Sequence, residues 1–224
     1  MTDTQLLLSI AVLGGTGKEG KGLAYRWAKA GYNVHIGSRD AAKAEIAAKE
    51  VLGLLEGEAS VSGMSNLEAA KKSDITVLTV PYSAHKETLE ALKTELKGKI
   101  LVDVTVPLVP PKVATVQMPA AGSAAQEAVQ IVGSDVQVCA AFQNISYEHL
   151  LDNADVECDV LVTGTSKEAR AEVVKLVEAA GLTGWDAGPI ENSVVVEGLT
   201  SVLIGINKKY GSTHAGIKIT GAHR

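Results

Sequence analysis

Apolar residues along this chain follow two rhythms. Short valine-rich runs recur at residues 9–13, 33–37, 75–80, 99–105, 136–141, 159–163 and 183–186, with a weaker one at 59–62. Near-continuous apolar runs of this length are the pattern of strands buried on both faces. Between most of them lie alanine-rich segments with helical spacing. At 83–97, Leu89, Leu92 and Leu96 share one face, Ser83 is placed to cap the start and Gly98 to stop the end. At 166–180, Ser166 caps, Val173, Val174 and Val177 line one side, and Gly181 terminates. The alternation predicts an α/β fold with a doubly wound, mostly parallel sheet.

Two stretches break the rhythm. Residues 189–206 read as one long helix that is apolar on nearly every side, through Val194, Val195, Val196, Leu199, Val202, Leu203, Ile204 and Ile206. Such a helix must be covered by the sheet, by a ligand or by a second subunit. A boundary near Gly188-Pro189 therefore separates residues 1–187 from a small helical C-terminal domain, 188–224. Residues 105–122, with Pro107, Pro110, Pro111 and Pro119, are long and aperiodic. They follow a strand, so they emerge at the carboxyl edge of the sheet, where ligands bind. There they wall a cleft or merely space two elements.

Composition narrows the function classes. The 224 residues are 46% apolar and 21% charged with a net charge of −5, which predicts an ordinary folded protein rather than a polyanion binder. Aromatic residues make up 4%, too few for stacking readout of nucleic acid bases. No apolar run approaches the roughly 18 residues that span a bilayer. Residues 6–13 follow Asp3 and lead straight into glycines, so they read as a first strand rather than a signal peptide. Cys139 and Cys158 form no Cys-x-x-Cys pair, and a cytoplasmic, reducing setting is expected.

The first candidate chemistry is Gly15-Thr16-Gly17-Lys18-Glu19-Gly20, between the strand at 9–13 and a helical pattern at 18–30 that Gly31 ends. In that setting the glycines serve a dinucleotide pyrophosphate resting on backbone N–H groups at a helix N-terminus. Gly15 would make the turn, Gly17 would let phosphate approach, and Gly20 would let helix pack on strand. This is the signature of a Rossmann-type nucleotide-binding domain over 1–187. One βα unit later, Ser38-Arg39 stands where an NAD site carries a carboxylate for the ribose 2′-hydroxyl. Lys43 lies one helical turn past Arg39 if Asp40 starts a helix. A hydroxyl, a guanidinium and an ammonium suit a 2′-phosphate, which makes the cofactor NADP. Val80-Pro81-Tyr82 falls at a strand's carboxyl end, where it would wall the nicotinamide or simply end the strand.

Of five histidines, none sits at metal-ligand spacing, and neither a nucleophile elbow nor an obvious acid–base pair is present, so no metal and no catalytic side chain are expected. His85 and His149 read as capping or surface positions. No acidic residue follows Glu197, whereas Lys208, Lys209, His214, Lys218, His223 and Arg224 do. That bias suits an anionic second ligand, or a helix dipole followed by a solvated tail.

The order of these motifs carries a resemblance. Leu13-Gly14-Gly15-Thr16-Gly17-x-x-Gly20-Lys21-Gly22-Leu23-Ala24 is followed by Gly37-Ser38-Arg39, Thr79-Val80-Pro81, Pro107-Leu108-Val109-Pro110, Ser123-Ala124-Ala125, Asp186-Ala187-Gly188-Pro189, Val196-Glu197-x-Leu199-Thr200 and Gly216-Ile217-Lys218. Over essentially its whole length the chain resembles the F420H2:NADP+ oxidoreductases, or NADPH-dependent F420 reductases. The resemblance implies hydride transfer between nicotinamide C4 and C5 of the deazaflavin coenzyme F420, a task of stacking two rings that needs no catalytic dyad. It implies pyrophosphate contacts from Thr16 and Gly17 beside Lys18 and Glu19, and a 2′-phosphate held by Ser38, Arg39 and Lys43. It places Val80 and Val109 by the nicotinamide, adds cofactor contacts from Pro81, Tyr82, Asn144, Ser146 and Ala215, closes the C-terminal segment over F420, and implies a homodimer. One stretch departs from the family pattern: Phe142-Gln143-Asn144 stands where histidine is expected at one or two positions. Gln and Asn can hydrogen-bond a flavin edge but cannot act as acids. Reduction of another flavin-like acceptor, or NADP binding without turnover, therefore stays open beside the F420 reading.

Overall fold

The computed structural model describes residues 8–56, 59–151 and 156–222. Asp3, Leu6, Leu7, His223 and Arg224 lie outside them. The chain alternates as the apolar pattern requires: β1 (Ser9–Leu13), α1 (Lys18–Lys29), β2 (Asn33–Ser38), α2 (Ala41–Leu52), β3 (Val61–Ser65), α3 (Asn66–Lys72), β4 (Ile75–Leu78), α4 (Tyr82–Leu92), β5 (Ile100–Asp103), α5 (Ala124–Val132), β6 (Gln137–Ala140), β7 (Asp159–Gly164), α6 (Lys167–Ala179), β8 (Thr183–Pro189) and α7 (Ser193–Tyr210). The strands form one sheet in the order β3-β2-β1-β4-β5-β6-β7-β8. Every pairing is parallel except β6 with β7. This is the Rossmann-type arrangement, and its strand order reverses between β1 and β4. The loops leaving those two strands flank a crevice at the carboxyl edge.

Two apolar layers sandwich the sheet. One gathers Val12, Trp27, Ile36, Val77 and Val102 with α1, α2 and α6. The other gathers Leu13, Leu78, Leu89, Leu101 and Val138 with α3, α4 and α5. Among the described residues no helix is long and apolar enough to cross a membrane.

Three local expectations are corrected. Helix α4 starts at Tyr82 behind Pro81 and has no side-chain cap, so Ser83 lies inside its first turn, and it ends at Leu92, leaving Leu96 and Gly98 beyond it in a turn. Pro81 can start it because a helix's first N–H groups have no intrahelical partner. The strand at 59–62 is instead Val61–Ser65, and it leads at once into α3 through a capping box between Ser65 and Glu68. The final helix is preceded by a 3-10 turn, Ile190–Asn192, so α7 itself starts at Ser193 and runs on to Tyr210. Ser166 accepts from the Ala169 N–H as its spacing requires. The aperiodic segment after β5 stays free of helix and strand up to Ser123 and packs on α7. A Cβ at Gly198 would lie 3.3 Å from both Val116 and Met118.

Candidate functional site

The loop after β1 explains its glycines one at a time. The positive φ that turns the chain belongs to Gly14 (φ +69), not to Gly15 as its spacing suggested. Gly15 is constrained by crowding: a Cβ there would lie 2.6 Å from the Val12 carbonyl oxygen. A Cβ on Gly20 would meet Gly15 Cα at 2.5 Å, so α1 touches the loop backbone directly. Gly17 is exposed with open space around its missing side chain. It caps α1 without offering a side-chain acceptor, which leaves first-turn N–H groups free for a ligand's anionic oxygens.

Beyond β2, Ser38 is buried and its hydroxyl accepts from the Asp40 N–H, while Asp40 caps α2. Ser38 and Arg39 line a cavity of about 380 Å³ with Ser65, Asn66, Leu67, Glu87, Thr88 and Leu92. Arg39 is exposed at its edge. Lys43 is exposed on α2 and does not line this cavity. Asn66 also accepts from the Gly14 N–H, tying cavity and glycine loop together.

A larger cleft, about 710 Å³, opens at the sheet's carboxyl edge between β1 and β4. Glu19 from α1 faces Val80, Pro81 and Tyr82 across it, and the segment after β5 supplies Thr105, Val106, Leu108 and Pro110. Val109 is 44% exposed and is not part of the lining, although both its neighbours are. Gln143, Ile145, Tyr147 and Thr200 close the far side. Those four also line an adjoining pocket of about 170 Å³ that holds Asn144, Ser146 and Ala215 with Leu203, Ile204 and Asn207. Of the site residues named from the sequence, Glu19, Val80, Pro81 and Tyr82 line the cleft, Asn144, Ser146 and Ala215 the adjoining pocket, and Ser38 and Arg39 the separate cavity behind β2, whereas Gly15, Thr16, Gly17, Lys18, Gly20, Lys43 and Val109 line none of the three. The Lys18 ammonium lies 5.2 Å from the ring centroid of Tyr147, which lines both the cleft and the pocket.

Phe142 sets the shape of the joint between the two inner hollows. It is buried with φ +72, a region that a bulky residue adopts only when its surroundings impose it, and it packs edge-on against Trp27. The turn delivers Gln143 and Asn144 inward. Gln143 donates through Nε2 to the Asp103 carbonyl at 2.8 Å, and among the described residues its buried Oε1 has no partner. Asn144 donates to the Val196 carbonyl, and Thr200 donates to the Gln143 carbonyl at 2.8 Å. The Ala215 N–H donates to Asn207 of α7, and the Ser146 hydroxyl donates to the Thr213 carbonyl at 3.4 Å.

Behind the cleft the structure holds an acid–base pair that the sequence reading missed. His85 is buried, with Nε2 2.7 Å from Asp103 and Nδ1 3.8 Å from Glu127. Burial would lower its pKa, but the bond to Asp103 and the nearby carboxyl groups outweigh it and hold the pKa above the ordinary imidazole value. Asp103 also accepts from the Thr105 N–H. Glu197 of α7 accepts from the Ala124 and Ala125 N–H groups at the start of α5. Burial pushes the Glu197 carboxyl up to about 8 against the opposing pull of those amides. Tyr82 donates to Glu127, and burial together with that bond pushes its phenol up to about 12. No sequence spacing links these residues, because strand order brings them together. None of His85, Asp103 or Glu197 lines the cleft, so the pair organises its wall.

Comparison with known proteins agrees with this geometry. Residues 9–107 match the family model described as coenzyme F420-dependent NADP oxidoreductase. The chain is 43% identical over 222 residues to the F420-dependent NADP reductase of Methanocaldococcus jannaschii, covering 95% of this chain and 98% of that one. It is 42% identical to the same-named protein of Methanothermobacter marburgensis, with 95% and 98% covered. A crystal structure of a candidate F420-dependent NADP reductase from an Arthrobacter species superposes with a TM-score of 0.79 at 26% identity, covering 96% and 100% of the two chains.

Proposed function

The chain belongs to the coenzyme F420-dependent NADP oxidoreductases, and on that premise we propose that the cavity behind β2, the cleft and the adjoining pocket together hold the two coenzymes end to end. Its activity is the transfer of a hydride between NADP(H) and F420. The nicotinamide gives or takes hydride at C4 and the deazaflavin at C5, so the protein's task is to hold two rings in register and keep water out.

The free N–H groups at Gly17 and the first turn of α1 hold the pyrophosphate, with Thr16 beside them. Ser38 and Arg39 grip the 2′-phosphate, and Lys43 adds long-range positive charge from outside the cavity. Val80, Pro81 and Tyr82 wall the nicotinamide. Asn144, Ser146 and Ala215 hold the deazaflavin side. Residues 1–187 form the NADP-binding domain, although β8 runs two residues past that boundary to Pro189, and 188–224 form the C-terminal domain that closes the site and makes the contacts of a homodimer. The unpaired cysteines Cys139 and Cys158 accord with a cytoplasmic setting.

One observation carries this reading: the large cleft and the small pocket share a wall of Gln143, Ile145, Tyr147 and Thr200. Two flat rings entering from opposite ends meet at that wall, and no acid–base side chain is needed between them. The test is anaerobic mixing of the protein with NADPH and either F420 or FMN, followed by visible absorbance. Bleaching of F420 at a rate far above that of FMN is expected. FMN bleaching alone would transfer the activity to an ordinary flavin, and bleaching of neither would leave a binding protein.

A further inference from the structure

Glu19 occupies the penultimate position of the glycine fingerprint, in the first turn of α1, and its side chain lines the large cleft. It is the only carboxyl among the described residues that line that cleft. The other titratable lining groups are Tyr82 from α4 and Tyr147 from the 3-10 turn Tyr147–His149. Lys18, its neighbour on α1, lies against the Tyr147 ring. Among the described residues no hydrogen bond or ion pair engages Glu19. Glu19 is half-buried, Val80, Pro81, Val106, Leu108 and Ile145 make its surroundings mostly apolar, and a carboxyl group without a partner in such a place is poised to meet a charged ligand.

We propose that Glu19 is a specificity-determining residue for the oxidation state of the bound coenzyme, favouring the cationic nicotinamide of NADP+ over the neutral ring of NADPH. The inference rests on the reading that the nicotinamide enters this cleft past Val80 and Pro81. A carboxylate in the same low-dielectric hollow attracts a ring that carries positive charge and gains nothing from one that does not. The pyrophosphate and 2′-phosphate are common to both coenzymes, so their effect cancels in the ratio of the two affinities. The ratio isolates the charge on the ring.

Burial raises the Glu19 pKa from 4.5 to about 7, so its charge changes within the working range. The sign follows from linkage. NADP+ holds the ionised form and pulls this pKa down, whereas NADPH leaves it high or raises it further. As pH rises from about 6 to 8, NADP+ gains affinity relative to NADPH. In that range the bound pair becomes easier to oxidise, which favours passage of hydride from NADPH to the acceptor.

The experiment measures dissociation constants of both coenzymes for the full-length protein and for Glu19→Gln between pH 5.5 and 8.5. In the wild-type protein the NADPH:NADP+ ratio of dissociation constants is expected to rise about tenfold, the change that a one-unit difference in pKa between the two complexes produces. In Glu19→Gln the ratio stays flat and NADPH is relatively favoured. Calorimetry of the unmodified protein in buffers of different ionisation heat provides a second measurement that no folding defect can confuse. NADP+ binding should release more protons than NADPH binding. A flat wild-type ratio with intact NADPH-driven F420 reduction would overturn the role of Glu19 alone, as would an equal slope in the variant. Failure of the protein to bind either coenzyme would overturn the assignment of the cleft as well.

Discussion

On the proposed reading, coenzyme choice turns on Arg39. It stands at the edge of the cavity behind β2, exposed and engaged by no ion pair among the described residues, next to the buried Ser38 hydroxyl. Because the guanidinium is hydrated before the ligand arrives, its contact is worth less than a fully desolvated pair, in the range of one charge-assisted hydrogen bond. Arg39→Ala should therefore weaken NADPH by about ten- to a hundredfold while changing NADH by less than about threefold. Equal losses measured by fluorescence titration would remove the 2′-phosphate role. Ser38 and Arg39 stand out in the sequence because they occupy a position where the fold makes charge decisive and no carboxylate is present. The split of labour between Gly14 and Gly15 was not legible. The sequence shows two adjacent glycines, and only the backbone shows that one needs a positive φ and the other needs room against Val12.

At the scale of elements, helix α7 is tied to the sheet domain by polar groups inside an apolar surface. Glu197 reaches the start of α5, Asn144 donates to the Val196 carbonyl, and Ser193 bonds the Ser123 hydroxyl at 2.6 Å. Apolar periodicity identified α7, but a carboxyl in the middle of it carried no sign of its partner more than 70 residues away in sequence. The pairing of His85 with Asp103 was hidden for the same reason, since it joins α4 to the end of β5 across the fold. Periodicity reports what a residue avoids, whereas a buried polar residue is defined by what it meets. Glu197→Gln places an amide NH2 against a backbone N–H that has no other acceptor, at a cost of about 1–3 kcal/mol. The expected result is a lower denaturant midpoint and weaker F420 binding, with NADPH binding little changed. Unchanged stability would mean that α5 finds another cap.

The whole molecule leaves one face of α7 uncovered. Val195, Val202 and Ile206 are 70%, 46% and 40% exposed, and with the half-buried Leu199 they fall at i, i+4, i+7 and i+11, a single stripe along the helix. The opposite face, with Val196, Gly198, Ser201 and Leu203, is buried against the sheet domain and the proline-rich segment. In the proposed homodimer this stripe would meet the same stripe of a second copy across a twofold axis, as its i, i+4, i+7 spacing allows. Four side chains alone fall short of the roughly 800 Å² per partner that a stable interface buries, so exposed Val116 and Tyr210 would join them. A carboxylate at the centre of such a contact would be buried without a partner. Val202→Asp should therefore convert a dimer into a monomer in light scattering while NADPH affinity stays within about twofold, because the glycine loop and Arg39 lie on the far side of the crevice. A wild-type protein that runs as a monomer would remove this interface and leave the deazaflavin itself to cover the helix.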